Sequence, residues 1–171
     1  AFIDETDGVA LTSASVAGPL ELRANGAVTA GAISSNGVVL AINGDNSALT
    51  LNGNVAGGAG EIVLVTNGVN SDITANGTIA SDGDFTVTTS GAGADVSINS
   101  SVTTQGNVTL ATTGANAGLT TQGAVTAPGN ITMVASGSMA IGGAVSTTAG
   151  SIVANAAGAD ATLAVNGPLN A

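Results

Sequence analysis

The sequence predicts an all-β fold, a right-handed parallel β-helix (β-solenoid) with three short strands in each coil of about 23 residues. Three observations lead to this prediction. Glycines recur at a fixed spacing, apolar residues recur in the same register, and small or β-branched residues dominate while aromatic residues make up only 1% of the chain. Val, Ile and Thr suit strands better than helices.

Glycine defines the repeat. A first column has four successive steps of 23 residues and then one of 21, and a second column follows eight positions later with the same shortened step. The columns are Gly37, Gly60, Gly83, Gly106, Gly129 and Gly150, and then Gly68, Gly91, Gly114, Gly137 and Gly158. The repeat predicts about seven coils, at 18–36, 37–59, 60–82, 83–105, 106–128, 129–149 and 150–171, with residues 1–17 as an N-terminal partial coil or cap.

Apolar residues follow the same register. In the stretch from Asn107 to Leu110, Val108 and Leu110 alternate with polar residues, which is the period of a strand. The predicted inward columns are Ile62, Phe85, Val108, Ile131 and Ile152 with Leu64, Val87, Leu110 and Met133; Ile73, Val96 and Leu119 with Ile98, Ile141, Leu163 and Val165; and Val55, Ile79, Val102, Val125, Val145 and Leu169. One coil cannot bury its apolar side alone, so we expect stacked coils around a shared core.

Asn-Gly pairs mark frequent turns. They begin at Asn25, Asn36, Asn43, Asn52, Asn67, Asn76 and Asn166. Glycine adopts positive φ at little cost, so these pairs predict turn positions with positive φ. A two-sheet sandwich with Gly-rich turns is the alternative fold, but a sandwich does not require columns at a fixed spacing.

Charge and composition exclude several classes of partner. Eleven acidic residues against Arg23 alone, with no Lys or His, give a net charge of -10, which does not suit binding to nucleic acid or to an anionic membrane. The sequence has no apolar run of the length that spans a bilayer, so we expect no membrane insertion. With no Cys, disulfides cannot stabilise the chain.

The sequence predicts no catalytic and no cofactor-binding residue. Enzymes built on β-helices need clustered carboxylates or a basic residue on one face. Here no His or Tyr is available as a base, and the remaining acids are scattered along the sequence. Asp82 and Asp84 could approach Glu61 at a neighbouring corner, which is the nearest the sequence comes to a cluster of carboxylates. We therefore expect a protein that is not an enzyme, with solvated acids at its corners.

Ca²⁺ is the one cofactor that the sequence brings into consideration. The densest acidic patch is Asp4, Glu5 and Asp7, which are weak candidates for a metal site that would seal one end of the solenoid. Ice and glycan are two further ligands that a β-solenoid could bind. Outward Thr columns would suit ice, although the second column is interrupted by Ala111, and glycan binding lacks the aromatic side chains that stack on sugars.

Several units resemble a known family. Gly106–Leu110 and Gly129–Met133, each followed by a polar corner and a Val-Thr-Ala or Val-Ser-Thr strand, resemble filamentous-haemagglutinin-like exoproteins, and Ile3–Leu11 is similar to units of giant bacterial proteins of β-strand repeats. The resemblance implies a secreted or cell-surface adhesin shaft, outside the cell, and brings no catalytic residue with it. The secretion domain usual at the N-terminus of that family has no counterpart in the chain.

The expected function is therefore a structural shaft of an extracellular bacterial fibre or adhesin. Its first partner would be itself, end to end, either as a filament of subunits or as continuing repeats of a longer chain, and its second a host or matrix surface. The C-terminal coil supports this expectation, because it has little charge and only Pro168 to blunt its edge. The alternative is a β-solenoid binding module for Ca²⁺, ice or glycan.

Overall fold

The computed structural model describes residues 1–171, which form 22 β-strands and no helix. Most strands have three to five residues, as expected for short segments separated by tight corners. The strands are β1 Phe2–Glu5, β2 Val9–Ser15, β3 Leu20–Ala24, β4 Val28–Ser34, β5 Val38–Ile42, β6 Leu49–Leu51, β7 Val55–Ala56, β8 Ile62–Thr66, β9 Ile73–Ala75, β10 Ile79–Ser81, β11 Phe85–Thr89, β12 Val96–Ile98, β13 Val102–Thr104, β14 Val108–Thr112, β15 Leu119–Thr121, β16 Val125–Ala127, β17 Ile131–Ala135, β18 Met139–Ile141, β19 Val145–Thr147, β20 Ile152–Ala156, β21 Leu163–Val165 and β22 Leu169–Asn170.

All pairing between strands is parallel and runs from one coil to the next. Face 1 is the eight-stranded sheet β1-β3-β5-β8-β11-β14-β17-β20. Faces 2 and 3 belong to one 14-stranded sheet, because β4 pairs through Val28–Ala30 with β6 and through Ile33–Ser34 with β7. Face 2 continues through β9, β12, β15, β18 and β21, and face 3 through β10, β13, β16, β19 and β22. The predicted fold is confirmed as a parallel β-solenoid of about seven turns.

Each predicted coil from 37–59 onward contains one strand of each face, and residues 18–36 contain β3 and the bent strand β4. Residues 1–17 contribute β1 and β2, which pair with β3 and β4. At roughly 4.8 Å per step, the eight strands of face 1 give a rod roughly 34 Å long.

The predicted inward columns are confirmed. Phe85 pairs with Ile62 below it and Val108 above it, and its side chain is fully buried. The third column is also correct from its earliest member, since Val55 pairs with Ile79. The inward residues form one apolar cluster of 33 buried side chains along the axis, so coils share their core as solenoid physics requires.

Variation in coil length is concentrated at the corner between faces 1 and 2, here called corner A. The corner has three residues in the first two coils and six in the next four, then shortens to three again at 136–138. The corner between faces 3 and 1 has one extra residue at 148–151. The coil is therefore two residues shorter, which gives the step of 21 rather than 23 from Gly129 to Gly150. Corner A comprises 6–8, 25–27, 43–48, 67–72, 90–95, 113–118, 136–138 and 157–162.

The short corner at 136–138 corrects one prediction. Gly137 does not continue the second glycine column above Gly114: its N–H donates to Ala117 O, while the Ser136 hydroxyl approaches Gly114 O. Gly158 in turn stacks on Ser136. The spacing from Gly114 to Gly137 is the usual 23 residues, but corner A is three residues shorter in this coil. Gly137 therefore lies at a different position of the corner from Gly114.

The role predicted for the Asn-Gly pairs was also wrong. Of their glycines, only Gly37 has positive φ. The others lie where coils approach too closely for a side chain: a Cβ on Gly68 or Gly77 would lie closer than 3.0 Å to the carbonyl of the glycine one coil below. Positive φ occurs instead at the fourth residue of every six-residue corner A, namely Asn46, Asn70, Gly93, Asn116 and Asp160.

Candidate functional site

The structure does not bring the acidic patch considered from the sequence together as a cluster. Asp4 and Glu5 are successive residues of β1 and point to opposite sides of the strand. Asp4 lies beside Arg23, which forms its ion pair with Glu21 at 2.7 Å, and Glu5 accepts the N–H of Thr6 at 3.2 Å. No three acidic side chains of the chain, Asp7 included, gather in a geometry that could hold a metal ion.

Corner acids bind the backbone of the next coil. Asp84 Oδ1 accepts the N–H of Asn107 at 2.7 Å, rather than joining Asp82 and Glu61 in a cluster. The same contact repeats above it, because Asn107 Oδ1 accepts the N–H of Asn130 at 2.9 Å. These side chains therefore act as acceptors that hold one coil on another, and an ionised acceptor strengthens such a bond.

A second line of acids does the same at corner A. Asp72 accepts the N–H of Asp95 at 2.8 Å, and Asp95 accepts the N–H of Gly118 at 2.6 Å. One coil lower, Asp45 accepts the N–H of Val69 at 2.8 Å. Much of the negative charge is thus placed where it satisfies backbone donors that no strand partner reaches.

Asparagine side chains form a ladder at the corner between faces 2 and 3, here called corner B. Asn76 Nδ2 donates to Asn52 Oδ1 at 3.0 Å, and Asn99 Nδ2 donates to Asn76 Oδ1 at 2.9 Å. A shorter ladder at corner A joins Asn67 to Asn43 at 2.8 Å. Side chains that donate to the coil below and accept from the coil above extend hydrogen bonding along the axis beyond the strands.

Buried threonines brace corner A from inside, a feature that sequence reasoning missed. Thr89 and Thr112 end strands of face 1 at inward positions, and each hydroxyl donates to a carbonyl five residues on, at Ala94 and Ala117, both at 2.7 Å. Thr66 makes the equivalent bond to Ser71. The available signal was a polar residue recurring in an inward column immediately before a glycine-containing corner.

The flat faces carry almost no charge. On face 1 from β5 to β20 the two outward columns contain only Val, Thr, Ala and one Asn. The predicted outward stack of Thr86, Thr109 and Thr132 is confirmed. The second column has Thr88 beside Val65 and Ala111, so the face does not present two regular rows of hydroxyl groups.

One shallow, open groove of about 250 Å³ lies between faces 3 and 1. It forms where the corner after the short strand β7 is enlarged. Its polar lining includes Ser81, Asp82, Thr103 and Gln105. A single carboxylate, an amide and two hydroxyls do not make an acid–base pair with a defined role.

The two ends of the solenoid differ. In the last coil, Leu163, Val165 and Leu169 are 45%, 41% and 44% exposed, although their partners one coil below are at most 1% exposed. At the other end, Glu5 occupies an inward column that continues as Ala24 in the next coil. The C-terminal end is thus an uncovered apolar cross-section, and the N-terminal end has a carboxylate in its inward register.

The fold and these contacts define the class of protein: a parallel β-solenoid whose polar side chains mainly join coil to coil. No model of a known protein family, no functionally characterised protein and no solved structure matches the chain. No helix is long and apolar enough to cross a membrane.

Proposed function

We propose that this chain is a structural shaft, a segment of an extracellular or cell-surface fibre or adhesin of the filamentous-haemagglutinin-like kind. The observation that carries the proposal is the last coil, where Leu163, Val165 and Leu169 repeat the inward columns without a cover. Covering such side chains is favourable by about 25 cal/mol for each Å² of apolar surface removed from water.

The hydrogen bonds of the chain also suit a rigid rod. Parallel pairing runs along the whole axis, and ladders such as Asn52-Asn76-Asn99 add side-chain bonds in the same direction. Stability of a solenoid is approximately a sum of terms between neighbouring coils, so a long array is a natural extension of a short one. The partner that fits the open end is a further coil, either of a longer chain or of a second copy.

Glu5 affects how copies of this chain can stack end to end. Strand edges are natural templates for further pairing, and an inward charge is a common device that blunts them. Glu5 provides such a charge at the N-terminal end, whereas the C-terminal coil has none in its inward columns. A filament of copies must bury Glu5, while continuing repeats at the C-terminal end need not.

Sedimentation velocity over a range of protein concentrations, with negative-stain imaging, tests the proposal. We expect association that grows with concentration and rods longer than one subunit. Val165→Glu places a charge in the open cross-section and should abolish association, while Ala164→Glu, on the outward side of the same strand, should not.

A compact monomer of 15.9 kDa at the highest concentration would count against the shaft proposal. Equal behaviour of the two variants would also count against it, because the open cross-section would then not be the contact. Circular dichroism of both variants establishes that each remains folded, so that loss of association is not loss of structure.

A further inference from the structure

We propose that face 1 binds a second copy of this chain side by side, with both solenoids running in the same direction. The two copies are related by a two-fold axis parallel to the solenoid axis, so that face 1 of one copy packs on face 1 of the other. Two sheets commonly bury their side chains by packing face to face in this way. The pairing uses the side of the solenoid and neither end, so it does not depend on end-to-end stacking.

Strands β5 and β8 are apolar on both sides of the sheet. Their sequences are VVLAI and IVLVT. The outward side chains are Val39 and Ala41 in β5, and these pair with Val63 and Val65 in β8. An apolar run without alternation is typical of parallel strands that are covered on both faces. These two strands therefore have the composition of a sheet that receives a second cover.

Charge limits where a copy with the same net charge of -10 can approach. From β5 to β20 the outward columns of face 1 have no charged residue, but acids lie along both edges of the face. Asp72 and Asp95 lie in corner A, and Glu61 and Asp84 lie in the corner between faces 3 and 1. A copy that packs squarely on face 1 covers a neutral surface and leaves these carboxylates at the rim, which is the usual anatomy of an interface.

Glu21 and Arg23 identify the second copy as the occupant. They hold the two outward positions of β3, next to the neutral area, and form an ion pair at 2.7 Å that remains partly exposed. A two-fold axis parallel to the solenoid exchanges the two outward columns between copies. Glu21 of each copy then faces Arg23 of the other, so the only Arg or Lys of the chain lies between two carboxylates.

The same axis matches the apolar residues. Val63 of one copy lies opposite Val65 of the other, and the reverse contact forms at the same time. In an antiparallel pair centred on β11, by contrast, Glu21 would lie against Val153 of the second copy and lose water without a charged partner. The charges of β3 therefore select the arrangement in which the two solenoids run in the same direction.

The area of face 1 suits a weak pair. The seven five-residue strands from β3 to β20 give a flat surface of roughly 450 Å² on each copy, or about 900 Å² in the pair. Interfaces below about 1,200 Å² are typical of transient complexes. The acids at the two rims repel one another, and salt near 0.1 M screens such exposed charges beyond about 10 Å. Pairing should therefore need high protein concentration and should strengthen with moderate salt.

Sedimentation velocity and small-angle X-ray scattering test the pairing. Every protein carries Val165→Glu, which prevents end-to-end stacking, so the result is independent of the shaft proposal. At about 0.1 M salt we expect dimers with a doubled cross-section and an unchanged length. At low salt the acidic rims keep copies apart side by side, so association there reports end-to-end stacking alone. A protein that stays monomeric at every salt and protein concentration would overturn the proposal.

Three variants that each lower the net charge by one separate the contact from general repulsion. Val65→Glu places a carboxylate in the middle of face 1 and should weaken pairing at least about tenfold. Arg23→Gln removes the contact with Glu21 of the second copy and should weaken pairing severalfold. Thr126→Glu, on the outward side of face 3, should leave pairing unchanged. Circular dichroism establishes that each variant is folded, and equal pairing of all three would overturn the proposal.

Cross-linking determines the direction of the two copies. The chain has no Cys, so an introduced thiol is unique. In the proposed pair, position 132 lies opposite position 134 of the second copy, whereas in an antiparallel pair it lies opposite position 39. A mixture of Thr132→Cys with Val134→Cys should therefore form more mixed disulfide than a mixture of Thr132→Cys with Val39→Cys. The reverse preference, or no preference, would overturn the parallel arrangement.

Discussion

Thr112 and Thr121 lie on consecutive strands of one coil and are equally buried at 1% exposure, but only the hydroxyl of Thr112 has a partner. Thr112 Oγ1 donates to Ala117 O at 2.7 Å and so braces a six-residue corner. Thr121 Oγ1 is buried without a hydrogen bond, in a column shared with Ile98 and Ile141. The same substitution at the two positions should therefore have opposite effects.

Thr112→Val should lower the free energy of unfolding by about 0.5–1.5 kcal/mol, because it removes the buried hydrogen bond of the hydroxyl to Ala117 O and leaves that carbonyl with the Gly137 N–H as its one donor. Thr121→Val should raise it by up to about 1 kcal/mol, because it removes an unpaired buried hydroxyl. Urea denaturation followed by circular dichroism measures both. A loss of stability in both variants would show that the two hydroxyls have equivalent environments.

Gly91→Ala should destabilise the fold, because the new Cβ would collide with the Gly68 carbonyl one coil below. Forcing the two coils apart should cost about 1–3 kcal/mol, as overpacking does elsewhere. Gly18→Ala is the matched control, since nothing lies within 4 Å of a Cβ there, and a change within about 0.5 kcal/mol is expected. Thermal melting compares them, and similar shifts in the two variants would contradict the close approach of coils.

Glu5→Ala should strengthen end-to-end association, because it removes the charge that a stacked coil would have to bury. Asp4→Ala removes the same charge from the outward side of β1 and should have little effect. Sedimentation velocity of both variants at one protein concentration provides the measurement. Equal gains in association would mean that net charge, rather than the inward position of Glu5, limits stacking.

Added Ca²⁺, or a chelator, should leave the melting temperature unchanged. An ion that binds only the folded chain would stabilise it by mass action, but no three carboxylates lie close enough together to bind a metal ion. Differential scanning calorimetry with and without each additive is sufficient. An upward shift of several degrees with Ca²⁺, reversed by the chelator, would instead favour a binding module sealed by metal at Asp4, Glu5 and Asp7.

The sequence alone was sufficient for the register of the core. A residue at an inward position repeats in every coil, so Ile62, Phe85 and Val108 are aligned in the sequence as they are in space. The alternation of period two then assigns inside and outside, because neighbouring side chains of a strand point to opposite faces. The outward Thr stack and the full burial of Phe85 follow from the same two rules.

Only the tertiary structure decided what the corners do. Sequence spacing could not distinguish a glycine that needs positive φ from one that lies against the backbone of another coil, and it misplaced Gly137 because the corner at 136–138 is three residues short. It could not assign Asp84 to the N–H of Asn107 either. Core columns depend on local periodicity, whereas corner contacts depend on distances between residues about 23 positions apart, which exist only once the coils are stacked.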